Sequence, residues 1–222
     1  MAIPKVIYQT FKTKKLPLIT KWHIWRFKKM NPEYKYEFYD DERIDYFFKT
    51  EFDTETYLDY KRLNIGAAKA DFFRYSILYK YGGVYLDIDS GMNKPLRDLI
   101  KPDDVAIITK EKNHPELFAQ WALIYSKGHP FLKATIEEIR NNIALNKYPH
   151  DVHKMTGPFI YTTAINKCLT HNKNIPHRLF GLDYDKFLKV KYKLGKLSLY
   201  GNRSEHWKKQ QLVKPVLKNI NS

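Results

Sequence analysis

The feature that most limits how this chain can fold is a helical pattern that runs straight into a strand. From Ile65 to Tyr81 apolar and aromatic residues recur at helical spacing, Asn64 stands where a cap belongs, and Gly82 is placed to stop the helix. Gly83 then opens "GVYLDID", a short buried-type strand. A helix tied to a strand by two glycines must fold back on it, which is the step from which α/β domains are built. Alternation along the strand sends Val84, Leu86 and Ile88 to one face and Tyr85, Asp87 and Asp89 to the other. Two carboxylates about 7 Å apart on one face either close the strand as turn residues before Ser90 and Gly91, or hold a cation in a cleft.

The remaining pattern supplies partners for that unit. "PKVIYQTF", from Pro4 to Phe11, reads as a strand, and Thr20–Met30 as a helix with Thr20 as its N-cap. "NPEYKYEFYDDE" reads as a turn and an alternating strand that ends at Asp40 and Asp41, with short helices over 42–49 and 54–60. "DDVAIITKE" is another strand. "PELFAQWALIYSKG", "PFLKATIEEIRNNIALNK" and "GPFIYTTAINKCLTHN" read as helices, and "FLKVKYKL" as a half-buried strand with a lysine face. Strands and helices mix throughout with no dividing linker, so the expectation is one α/β domain over residues 1–222.

Composition narrows the chemistry. One cysteine, Cys168, excludes an internal disulfide and any multi-cysteine zinc site. The formal charge of +15 draws anionic partners, and between Lys186 and Lys218 ten Lys or Arg face one acid, Glu205. There is neither a Walker loop nor a G-x-G-x-x-G fingerprint. No signal peptide or membrane-spanning run is evident, so the expected location is cytoplasmic, with the basic tail resting peripherally on an anionic membrane.

Within the long helix, Ala67, Asp71, Arg74 and Leu78 share one stripe, embedding an acid and a base between apolar positions. Either these form a plain ion pair, or Asp71 accepts from a polyol while Arg74 meets a phosphate or sugar oxygen. Because only two glycines separate helix from strand, both groups can converge with Asp87 and Asp89 on one cleft. Hard carboxylate oxygens suit Mg²⁺ or Mn²⁺.

The block "AAKADFFRYSILYKYGGVYLDIDSGMNKPL" resembles the core of the DXD-containing sugar-nucleotide glycosyltransferases of family 32. That family includes the yeast-type α-1,6-mannosyltransferases and is more distantly similar to the glucosyltransferase domains of clostridial toxins. Five spaced elements carry the resemblance: Ala-Ala, Asp, Arg-Tyr, Gly-Gly and Asp-x-Asp. "IPKVIYQTFK", "NPEYKYEFYDDE", "KGHPFL" and "TGPFIYTTAI" are similar to further family segments. The resemblance implies a GT-A fold, one Rossmann-like domain with a mixed central sheet. It implies a nucleotide-diphosphate sugar donor, UDP- or GDP-linked, and Mn²⁺ or Mg²⁺ on Asp87 and Asp89. Asp71, Arg74 and Asp87 would be the catalytic set. Tyr8, Gln9, Thr10, Tyr85, Gly157, Pro158 and Trp207 would join them around the donor. In the family a stretch ending in Ser-Trp closes the site; here it is "YGNRSEHWKK", which offers Asn202 and His206 as further metal ligands. The implied reaction is transfer of a hexose with retention to a glycan, lipid-linked or protein acceptor.

Two rivals stand beside this. A glycoside hydrolase also uses paired carboxylates, but its pair must flank the scissile bond from opposed sides. A non-enzymatic binder of nucleic acid or anionic membrane would use Lys189, Lys191, Lys193, Lys208 and Lys209, and leaves Asp87 and Asp89 without a role. With a sugar-nucleotide donor as the partner, no nucleic acid is expected.

Overall fold

The computed structural model describes residues 2–192, Leu199 and 207–218. Its centre is a six-stranded mixed sheet in the order β2-β1-β3-β6-β5-β7. The strands are β1 (Val6–Thr10), β2 (Lys35–Tyr39), β3 (Gly83–Leu86), β5 (Ala106–Lys110), β6 (Ala122–Tyr125) and β7 (Arg178–Leu182). β1 runs parallel to both β2 and β3, whereas β6 is antiparallel to β3 and β5. A second, two-stranded sheet pairs β4 (Gly91–Met92) with β8 (Leu188–Lys189), setting Gly91 opposite Lys189. The strand alternation read from the sequence holds: Val84 and Leu86 enter one core cluster with Ile7, Ile107, Ile124 and Phe27, while Tyr85 enters the other with Tyr8, Phe72, Phe73 and Leu123.

The helices are α1 (Leu18–Met30), α2 (Asp41–Glu51), α3 (Thr54–Arg62), α4 (Gly66–Tyr81), α5 (Pro130–Ala144), α6 (Val152–Met155), α7 (Pro158–His171) and α8 (Trp207–Val213). Asp40 and Asp53 cap α2 and α3 by accepting from the backbone N–H of Arg43 and Thr56, satisfying donors that a helix start leaves open. α4 stops at Gly82 as expected. The residue holds φ +67°, its N–H bonds to the Leu78 carbonyl, and an added Cβ would sit 2.6 Å from the Lys127 nitrogen. No helix of the described residues is long and apolar enough to cross a membrane.

Four expectations are corrected. "PELFAQWALIYSKG" is not a helix: it holds β6, a fully buried central strand, and a short apolar run of that kind has no periodicity to separate strand from helix. Thr20 does not cap α1, which starts two residues earlier after Pro17; its hydroxyl is buried and shares a 2.7 Å hydrogen bond with Tyr192. The residue before α4 is Ile65 rather than Asn64, whose amide bonds instead to the Pro215 carbonyl. Among the described residues of the "FLKVKYKL" segment, Leu188–Lys189 is strand, Lys191 is exposed and Tyr192 buried; Lys193 and Leu194 lie outside the described residues.

Candidate active site

The D-x-D turn leaves the C-terminal end of β3, beside the C-terminal end of β1, where open α/β sheets present their ligand crevices. Strand structure ends at Leu86. Asp87 still takes a backbone bond from its N–H to the Trp121 carbonyl (2.8 Å), and the Ser90 N–H closes the turn on the Asp87 carbonyl (2.9 Å). The carboxylates therefore sit on a fixed turn, the first of the two readings that the pattern allowed.

Arg74 is the hub. Its guanidinium lies 3.0 Å from Asp87 Oδ1 and 3.3 Å from Asp71 Oδ1, and it donates to the Gln120 carbonyl (2.9 Å) and the Ala70 carbonyl (3.4 Å). It also packs 4.8 Å from the centre of the Tyr85 ring, whose hydroxyl donates to Asp87 Oδ1 (3.2 Å). Asp71 and Arg74 are 4% and 5% exposed. Burial pushes the Asp71 carboxyl up to about 7, against the pull of Arg74 and of hydrogen bonds from Thr156 and Gln120. Burial also works against the charge of Arg74, but Asp87, Tyr85 and Asp71 hold it firmly protonated. The Asp71 side chain accepts from Gln120 Nε2 (3.2 Å) and Thr156 Oγ1 (3.0 Å), and Tyr75 donates to the same Gln120.

Asp89 is held differently. Burial and the neighbouring Asp87 raise its carboxyl to about 6, and the nearest cation is the Lys191 ammonium at 3.8 Å. Its carbonyl accepts from the Tyr192 N–H (2.9 Å), so the β4–β8 sheet folds Lys191 and Tyr192 over the turn. A buried carboxylate beside a half-buried one, partly answered by one ammonium, has the chemistry of a hard-cation seat, which takes oxygen donors. Asp87 and Asp89 therefore fit Mg²⁺ or Mn²⁺ as two protein ligands. No group of three His, Cys, Asp or Glu exists among the described residues, and Asn202 and His206 lie outside them.

The other expected residues fall around this centre in distinct ways. Gln9 is buried, its amide donating to the Asp87 carbonyl (3.0 Å) and accepting from the Tyr36 hydroxyl (2.9 Å), so it braces the turn. Tyr8 is buried in the core, and Thr10 donates to the Tyr39 carbonyl (2.7 Å). Gly157 and Pro158 begin α7 directly after Thr156, so the helix start and the Asp71 carboxylate are joined by one residue. A Cβ on Gly157 would lie 2.8 Å from His153 Cα, and the His153 ring stacks on Trp207 at 4.9 Å. Trp207 thus anchors α8 against the segment that carries Thr156.

Gln120, Thr156, Tyr36 and Tyr75 escaped the sequence reading as site residues, and Lys191 was read only as part of a basic face. Gln120 and Thr156 are polar residues in segments read as helical or left unassigned. A signal was present for Gln120, since "ALIY" after it is a buried-strand run that would have placed its side chain at a strand start.

Residues 21–107 match the family model of the glycosyltransferase sugar-binding region containing DXD motif, a span that includes Asp71, Arg74, Asp87 and Asp89. The chain is 35% identical over 163 residues to inositol phosphoceramide mannosyltransferase 3 of Schizosaccharomyces pombe, covering 71% of this chain and 43% of that protein. It is 27% identical to the initiation-specific alpha-1,6-mannosyltransferase of Candida albicans, over 73% of this chain and 52% of that one. An uncharacterized glycosyltransferase of Acanthamoeba polyphaga mimivirus is 32% identical, over 72% and 61%. The chain therefore spans about half the length of these relatives. Among solved structures, PaToxG glycosyltransferase superimposes with a TM-score of 0.61 at 16% identity, over 98% of this chain and 90% of that one. The UDP-bound glycosyltransferase domain of the YGT toxin gives 0.62 at 10% identity, over 89% and 82%. The fold is that of GT-A glycosyltransferase domains.

Proposed function

We propose that this chain, which carries the sugar-binding region of the DXD-containing glycosyltransferases, transfers a hexose from a UDP- or GDP-linked sugar, with retention, to a glycan or lipid-linked acceptor. Its relatives named as mannosyltransferases favour mannose as the sugar, and the inositol phosphoceramide enzymes among them favour a lipid headgroup as the acceptor. The observation that carries the reading is the shared Arg74 between Asp71 and Asp87 at the mouth of the D-x-D turn. A hydrolase pair needs two carboxyls facing each other across a bond, whereas here one guanidinium ties a helix carboxylate to a strand-end carboxylate.

The chemistry is one of charge placed in advance. As the bond to the anomeric carbon breaks, the leaving diphosphate gains negative charge and the sugar becomes oxocarbenium-like. A divalent cation on Asp87 and Asp89, when bound, neutralises that diphosphate charge, an effect worth roughly several kcal/mol of barrier. Arg74 adds a fixed positive charge that needs no reorganisation. Two of its five N–H donors are hydrogen-bonded to the Ala70 and Gln120 carbonyls, and its Nη2 lies at ion-pair distance from both Asp71 and Asp87. Asp71 in turn receives Gln120, Thr156 and Arg74. The Nη2 edge of the guanidinium, hydrogen-bonded to neither carboxylate, is the part that meets the transferred sugar. Tyr85 and Gln9 hold Asp87 in place, and the α7 start at Gly157 and Pro158 lines the sugar or acceptor side.

A thermal-shift panel of nucleotide-sugars with Mn²⁺, run on the unaltered chain and on Asp89→Ala, tests this. Stabilisation by one nucleotide class that disappears in the variant is expected. Stabilisation that survives the substitution would overturn the metal-bridge reading.

A further inference from the structure

We infer that the outer face of α1 is a docking surface for an anionic lipid bilayer. Soluble helices turn their polar side to water, but α1 turns Leu18, Trp22 and Trp25 outward, at 82%, 47% and 54% exposure, and buries only Thr20 and Phe27. Leu18, Trp22, Trp25 and Lys29 stand at i, i+4, i+7 and i+11, one stripe along a helix about 20 Å long. Lys21 and Lys28, both exposed, run along one side of the stripe, and Arg26 lies on the other. Lys29 sits 5.1 Å from the Trp25 ring centre and Arg26 5.0 Å from that of Trp22. From Phe11 to Met30 the sequence holds Lys12, Lys14, Lys15, Lys21, Arg26, Lys28 and Lys29 and no acid; Asp40 answers Lys14 at 3.4 Å.

This face has two tryptophans and a leucine ringed by cations with no acid among them, the combination that lies in the headgroup layer of a negatively charged leaflet. The face is bedded firmly from below. His23 stacks on the Tyr192 ring at 3.8 Å, Thr20 bonds the Tyr192 hydroxyl, and the Tyr192 N–H donates to the Asp89 carbonyl. Seating α1 on a bilayer therefore brings the D-x-D turn close to the lipid surface. This surface belongs to α1 and not to α8, which carries Lys208 and Lys209, and vesicle binding is measured without nucleotide-sugar, so its outcome is independent of the transferase reading.

The experiment is flotation of the purified chain with vesicles of phosphatidylcholine alone and of phosphatidylcholine mixed with phosphatidylserine. Binding to the anionic vesicles is expected. Trp22→Ser with Trp25→Ser, and separately Lys21→Glu with Lys28→Glu, should each weaken it by about tenfold or more. Lys208→Glu with Lys209→Glu should leave it within about twofold. In the unaltered chain, brominated lipid should quench tryptophan fluorescence, a readout that needs no variant. Absence of any preference for anionic vesicles overturns the proposal, as does loss confined to the Lys208 and Lys209 variant. A dimer in solution that the tryptophan variant dissolves, with vesicle binding unchanged, would assign the face to a second copy of the chain and overturn it equally.

Discussion

α4 and α1 invert the usual partition of a helix in opposite directions. α4 takes an acid and a base out of water and surrounds them with Phe72, Phe73, Tyr75, Ile77 and Leu78. α1 leaves its two tryptophans in water and hides a threonine. Burying an ion costs several kcal/mol unless partners replace its hydration, and Arg74 and Asp71 supply that replacement for each other with help from Asp87, Gln120 and Thr156. Exposing a tryptophan forgoes burial energy of the order of 2 kcal/mol, which cation–π contacts from Arg26 on Trp22 and Lys29 on Trp25 offset only in part. The contrast teaches that a chain departs from the hydrophobic partition where it meets another molecule: α4 at the site proposed for substrate, α1 at a surface.

The largest expected effect breaks the α4 side. Arg74→Ala leaves Asp71 and Asp87 facing each other without a cation and should cost about 3–5 kcal/mol of stability, read by urea denaturation. A loss under about 1 kcal/mol would mean that the cluster is wet and not a buried ion network. Next comes the joint between α4 and β3. Gly82→Ala forces a Cβ into the backbone of Lys127 at a positive φ, and should cost about 2–4 kcal/mol by the same measurement.

Asp89 sharpens the comparison through pH. Its folded carboxyl is raised to about 6, so the folded state holds its proton more tightly than the unfolded chain does. The favourable contribution is complete below the unfolded value near 4 and is lost as pH rises through about 6. Asp89→Asn, which cannot ionise, should therefore match the unaltered chain near pH 4 and exceed it by about 3 kcal/mol above pH 7 in metal-free buffer. Adding Mn²⁺ should reverse the order by stabilising only the unaltered chain. Melting curves from pH 4 to 8 decide this, and a gap that stays constant with pH would show that Asp89 titrates normally. The smallest effect belongs to α1: Trp22→Ser and Trp25→Ser should each change folding stability by no more than about 0.5 kcal/mol, because neither side chain is buried. A larger loss by calorimetry would mean that the outer face packs against the chain itself.

Much of the site was legible because its parts lie close in sequence. Asp71, Arg74, Asp87 and Asp89 fall within nineteen residues on one helix, one glycine joint and one strand, and both periodicities were plain. Gly82 was legible as a stop because the positive-φ, extended backbone it adopts (φ +67°, ψ −175°) is open to glycine and to almost no other residue. The braces were not. Gln120 reaches Asp71 from 49 positions away and Thr156 from 85, and a polar residue in an irregular segment carries no sign of which buried carboxylate it will meet. Gln9 was placed beside a nucleotide on resemblance, while its observed bonds go to the Asp87 carbonyl and Tyr36.

By itself the sequence determined the local elements and the pairing of acids on a strand end, since these follow from side-chain spacing along a single stretch of backbone. Only the tertiary structure decided that "ALIY" is a central antiparallel strand between β3 and β5, that Arg74 spends its donors on protein acceptors, and that Tyr192 ties α1 to the D-x-D turn. Those outcomes depend on which distant groups share a desolvated volume. That is a property of packing, and no window of sequence contains it.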